Sequence, residues 1–139
     1  MDLRGTSRRT FLTFLSLVPG LGALLRPALP ALAAPPRASD ILLERFFVAG
    51  LRYHDGVRVA PLVLPGDAVL LEAEPTNRWD PQAVRLLWGD AMLGYVPRHL
   101  NRAMSAILLQ GGHLVARVTA VDVDAPPWER VQVAVYLPR

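Results

Sequence analysis

The chain has 139 residues, 52% of them hydrophobic, with fifteen arginines, no lysine, twelve acids and a formal charge of +3. Cysteine is absent, which excludes a disulfide framework, a zinc–thiolate site and a lipoprotein cysteine. Four of the arginines and only one of the acids lie before Ala34, leaving eleven of each beyond it, so the basic whole-chain pI carries no argument for a nucleic-acid partner.

Ser7-Arg8-Arg9-Thr10-Phe11-Leu12 has the form of a twin-arginine export signal, two adjacent cations ahead of an apolar stretch from Phe11 to Leu25. That stretch is broken by Pro19-Gly20 and Gly22 and closes at Arg26-Pro27, short of the roughly 20 residues of a spanning helix. Ala31 and Ala33 are the small residues a signal peptidase accepts, with cleavage expected before Ala34. Residues 1–33 therefore read as a signal peptide, 34–41 as a flexible leader rich in proline and small residues, and 42–139 as one domain. The partner implied by the first segment is the twin-arginine translocase. The expected location is periplasmic or extracellular, with no stable membrane span once the signal is cut and a signal anchor if it is not.

Order is expected to begin near Leu42 or Leu43. Arg45 to Leu51, RFFVAGL, is aromatic and β-branched enough for a strand. After a turn at Asp55-Gly56, Val57, Val59 and Leu62 suggest a short irregular strand ending at Pro65-Gly66. Ala68 to Glu74 reads as another strand, and Ala83 to Trp88 with Met92 to Val96 as a hairpin around Gly89-Asp90. One helix follows, with Pro97 in its first turn, Leu100, Met104, Ile107 and Leu108 at helical spacing and Gly111-Gly112 as its stop. His113 to Val123 and Arg130 to Leu137 alternate as strands, with Val131, Val133 and Val135 on one face. About six short strands and one helix in roughly one hundred residues predict a mainly β fold, a small OB-like barrel, closed or partly open. A sandwich is the alternative.

Catalysis finds little support in the residues. Beyond Ala34 the serines are Ser39 in the leader and Ser105 on the helix, a poor basis for a nucleophile–base arrangement. His54, His99 and His113 show no metal-ligand spacing. Glu72 and Glu74 share a strand face near its exit, where acids ordinarily meet solvent. A non-enzymatic module without metal or cofactor is the expectation.

Three spaced motifs carry more information. Val48-Ala49-Gly50-Leu51-Arg52-Tyr53, then Gly66-Asp67 leading to Glu74–Val84 (EPTNRWDPQAV), then Gly94-Tyr95-Val96-Pro97 occur in that order. Together they resemble the HIRAN domain family, whose pattern is a V-x-G-V/L step with an aromatic, a Gly-Asp turn, a segment like R-E-P-x-N-x-Y/F-D-x-x-A-V/I, and G-Y-V/I-P. The match covers nearly all of residues 45–137. It departs at Ala73, where a basic residue is common, and at Trp79, where tyrosine is commonest.

The resemblance implies an oligonucleotide-binding-like barrel which, in DNA-repair relatives, holds the 3′ end of single-stranded DNA. Carried over by position, Tyr53 and Trp79 would be stacking platforms, Asp80 would accept a hydrogen bond from the terminal hydroxyl, Asn77 would contact sugar or base, and Arg52 and Arg98 would hold phosphates. Trp128 is a further candidate groove aromatic. Each residue also has a structural reading. Asn77 and Asp80 fit turn closure beside Pro75 and Pro81, Trp79 fits a lid over the core, Tyr95 fits packing, and Arg98 fits a solvated helix start. Two functions follow, an exported module that binds single-stranded nucleic acid, or an envelope interaction module on the same barrel that binds a protein, peptide or glycan partner.

Overall fold

The computed structural model describes residues 35–139. Arg8, Arg9, Phe11, Leu12, Ala31, Ala33 and Ala34, with the export and cleavage readings that rest on them, lie outside the described residues. The chain enters through a turn in which the Asp40 carboxylate accepts the Arg37 N–H at 2.7 Å. Strand β1, Ile41–Phe47, starts within the expected leader. β2 is Ala68–Ala73, β3 Val84–Trp88, β4 Ala91–Tyr95, β5 Val115–Val121 and β6 Val131–Leu137. All pair antiparallel in one six-stranded sheet of order β1-β6-β5-β2-β3-β4.

The sheet is not closed by a ladder. Its two ends meet at a single bridge, where Ala49 and Tyr95 exchange both backbone hydrogen bonds at 2.9 Å. Gly94, next to this seam, has φ 152°, and a Cβ there would stand 2.3 Å from the Ala49 carbonyl oxygen and 2.8 Å from Val48 Cγ1. Only a residue without a side chain lets the two backbones come this close.

Alternation along the strands builds the core. Val131, Val133 and Val135 are buried, as their spacing predicts, and meet Val118, Leu86, Val84, Leu93 and Leu71 inside the curled sheet. The Gly-Asp turn before β2 is fixed from both sides. Gly66 takes φ 93°, and the Asp67 carboxylate accepts the Leu64 N–H and the indole N–H of buried Trp88, each at 2.9 Å. An indole N–H inside a core needs such an acceptor.

Helix α1 covers Gly56–Val59 and runs into a 3-10 turn at Ala60–Leu62, where a short strand was expected. Packing decides this segment. A Cβ at Gly56 would fall 2.4 Å from Leu51 Cγ and 2.6 Å from the Leu93 carbonyl oxygen, so the helix can start this close to Leu51 and β4 only on a glycine. Val59 and Ala60 turn inward, whereas Val57 and Leu62 stay exposed.

The main helix α2, Asn101–Leu109, begins later than Pro97. Val96 is still bound to the strand through Val84 O, and Pro97–Leu100 forms a separate turn closed by the Leu100 N–H to Pro97 O at 2.9 Å. Met104 enters the core with Leu100 and Leu108 beside it. The expected stop is present. Gly111 has φ 80°, and the N–H groups of Gly111 and Gly112 return to the carbonyls of Leu108 and Ile107, the bonding of a Schellman C-cap.

Candidate functional site

A cleft of about 750 Å³ opens over the seam, with Ala49, Ala83, Val96 and Tyr95 among its lining residues and with Tyr53, Trp79, Asp80 and Arg98 on its walls. Small apolar residues and aromatic faces dominate it, and a few polar groups converge on it, the usual make-up of a ligand site.

One wall is the loop between β2 and β3, which is held shut by its own hydrogen bonds. The Glu74 N–H donates to Ala83 O at 2.8 Å, tying the ends together. Asn77 Oδ1 accepts the N–H groups of Trp79 and Asp80 at 2.9 and 3.1 Å, and Asp80 Oδ1 accepts the Gln82 N–H at 2.9 Å. These are the local side-chain closures that Asn and Asp make between prolines. Turn closure and cleft lining are thus not alternatives here, because both residues do the first while bordering the second.

The same rigidity determines what Trp79 does. Its side chain is 79% exposed and does not cap the core. Tyr53, in a 3-10 turn at Leu51–Tyr53, is 72% exposed on the same cleft. A large aromatic left in water on a fixed backbone leaves a free face at low entropic cost of ordering. Each ring also carries the arginine preceding it, with the Arg52 guanidinium 4.8 Å from the centre of Tyr53 and the Arg78 guanidinium 5.1 Å from the centre of Trp79, within cation–π range.

Arg98 is exposed in the turn before α2, and its Nε lies 3.8 Å from Asp80 Oδ2. Arg52 and Trp128 line a second, smaller pocket of about 170 Å³ that also takes in Tyr53. The sequence-derived set therefore divides into two adjoining hollows with Tyr53 common to both. Tyr95 belongs to the cleft as well as to the packing. Its ring meets His54 edge to face at a centroid distance of 5.4 Å, and its hydroxyl lies 3.4 Å from Glu74 Oε2. Burial, with the Glu74 carboxylate beside it, pushes the Tyr95 phenol up from its ordinary value. Glu72 pairs with Arg85, whose Nε donates to Glu72 Oε2 at 2.6 Å.

Asn101 is the residue that sequence reading missed. It is 1% exposed, borders the cleft, and donates from Nδ2 to Asp80 Oδ2 at 2.8 Å. The Gln82 N–H, then the Asn101 amide and the charge of Arg98, hold the Asp80 carboxyl below the ordinary aspartate value against a smaller opposing desolvation. A depressed folded value means a stabilising contribution that is whole above the unfolded aspartate range and is lost as pH falls through the lower, folded value. Thermal melts of wild type and Asp80→Asn should accordingly differ at neutral pH and converge as the pH falls below the ordinary aspartate range through the lower, folded value. A gap that stays constant to the acid end would mean that the Asp80 charge is not what stabilises the loop.

The HIRAN domain family model matches residues 43–138. Among solved structures, a protein from Lactobacillus plantarum is similar with a TM-score of 0.61 and 29% identity, over 70% of this chain and 94% of that one. The HIRAN domain of human HLTF is similar with a TM-score of 0.55 and 21% identity, over 70% of this chain and 78% of that one. No curated protein matches the chain.

Proposed function

The chain belongs to the HIRAN domain family, and from that premise we propose that it is a module that binds single-stranded DNA at a free 3′ end. The family is associated with DNA binding, which supports the nucleic-acid class of ligand. The observation that carries the finer reading is the pair of exposed rings, Tyr53 and Trp79, on the cleft that the acceptor Asp80 also lines, with Arg52 and Arg78 against the rings and Arg98 beside Asp80. Rings stack on bases of any sequence, the arginines face the phosphates, and a terminal hydroxyl supplies the proton that a carboxylate accepts. Trp128 extends the aromatic surface past Tyr53, so the strand runs from the cleft toward the smaller pocket. Near-neutral charge beyond Ala34 limits non-specific phosphate binding and leaves stacking and end recognition as the main terms.

Fluorescence anisotropy of the full chain with labelled single-stranded oligonucleotides tests the reading, comparing a 3′ hydroxyl with a 3′ phosphate across a salt series. Binding that needs the free hydroxyl and falls only weakly with salt is expected. Equal affinity for both ends would refute end recognition, and no binding at low salt would turn attention to a protein or peptide partner on the same cleft.

Export is proposed on the Arg8-Arg9 pair and the apolar stretch after it. Cell fractionation should find the wild type outside the cytoplasm and an Arg8→Lys/Arg9→Lys variant retained inside. Retention of both would place the module in the cytoplasm.

A further inference from the structure

Asn101 is a polar side chain with almost no exposure, and only half of its amide is accounted for. Nδ2 donates to Asp80 Oδ2 at 2.8 Å. Oδ1 is shielded and has no hydrogen-bond partner among the described residues. An acceptor buried without a donor carries a desolvation penalty that nothing offsets, so its place at the edge of a cleft calls for a reason. The fixed amide–carboxylate contact leaves Nδ2 toward Asp80, because the opposite orientation would set two oxygens against each other. Oδ1 is therefore a second acceptor, on the side chain that holds the first. It is neutral where Asp80 is charged, and a small turn about the broad terminal torsion of asparagine, within what the Nδ2–Asp80 contact tolerates, opens it to a donor arriving in the cleft.

Two neighbouring acceptors of this kind match a ligand with two neighbouring donors. A deoxyribose end presents one hydroxyl. A ribose end presents a vicinal pair, and the 2′ hydroxyl is the group by which proteins tell RNA from DNA. We propose that Asn101 is a specificity-determining residue and that the cleft takes a terminal ribose, with its 2′,3′-diol shared between Asp80 and Asn101, in preference to a terminal deoxyribose. This rests on the end-binding reading of the same cleft and sharpens its ligand from a strand end in general to an RNA-type end. Asp80 serves both sugars; Asn101 separates them.

The test uses the full chain and one labelled oligodeoxynucleotide made with four 3′ termini, deoxyribose, a single ribose, a 2′-O-methyl ribose and a 3′ phosphate. The single ribose should tighten binding roughly tenfold over deoxyribose, the effect of giving one buried acceptor its donor. Methylation of the 2′ oxygen should return affinity to the deoxyribose level or below. In Asn101→Ala the ratio of ribose to deoxyribose affinity should fall to about one, with a thermal melt confirming the fold, since alanine suits the first turn of a helix. If the wild type binds ribose and deoxyribose ends equally but rejects the 3′ phosphate, end recognition stands and the diol inference is overturned. Persistence of the ribose preference in Asn101→Ala overturns the assignment to Asn101, and failure of all four termini to bind removes both readings.

Discussion

Trp79→Ala and Tyr53→Ala should each weaken binding of a single-stranded oligonucleotide by roughly 5- to 150-fold, the equivalent of about 1–3 kcal/mol per stacked base. Neither change should move the melting temperature by more than about 4 °C, because substitutions at exposed positions seldom shift stability by more than about 0.5 kcal/mol. Both rings stand in water, and neither belongs to the core cluster. The separation of the two effects is what gives the experiment its force. A lid tryptophan would lose stability along with binding, whereas a platform loses binding alone. Trp79→Phe should recover part of the affinity, since a smaller ring still offers a face. Unchanged affinity in both alanine variants would remove stacking from the account of this cleft.

Gly94→Ala should produce the largest loss of stability of any single methyl addition in the domain, about 3–5 kcal/mol. Two costs combine. The backbone at φ 152° excludes a side chain, and the added carbon meets a carbonyl oxygen of the other end of the sheet rather than a movable side chain. Relief comes only by parting Ala49 from Tyr95, and that gives up both hydrogen bonds of the seam. Against a typical domain stability of about 5–15 kcal/mol this is a large fraction, and the melting temperature should fall by about 12–40 °C. Ligand binding should weaken as well, because Ala49 and Tyr95 line the cleft. A drop of only a few degrees would show that the sheet does not depend on its seam.

Much of this architecture could be read from residue order. Strand composition marked β2, β3 and β4 and alternation marked β5 and β6, to within one or two residues at most ends, and turn chemistry at Gly66-Asp67, Gly89-Asp90 and Gly111-Gly112 separated the elements. The segment 57–62 deceived because Val57, Val59 and Leu62 imitate a strand, while the cause of its coil is distant. Leu51 and the Leu93 carbonyl crowd Gly56. Strand count likewise could not say whether the sheet closes, since one bridge between Ala49 and Tyr95 has no local pattern.

The site shows the same division. The family resemblance, carried over by position, assembled Tyr53, Asn77, Trp79, Asp80 and Arg98, all of which border the cleft, whereas Arg52 and Trp128 line the neighbouring pocket. Asn101 was invisible because in sequence it is one more polar residue within an expected helix. Its meaning depends on Asp80, twenty-one positions earlier. The only cue lay in the helix boundary, as Pro97 suggested a start four residues too soon and so placed Asn101 a full turn inside.

The unequal surroundings of the three tryptophans give this molecule two independent optical signals. Trp88 is 8% exposed with its indole N–H held by Asp67, so its emission should lie at shorter wavelength and shift when the core opens. Trp79 and Trp128 stand in solvent, at 79% and 61% exposure, and should emit at longer wavelength, where the proposed stacking of a base on either ring would quench them. Occupancy of the two hollows and integrity of the sheet can therefore be followed in one cuvette at two wavelengths, without a label on either partner.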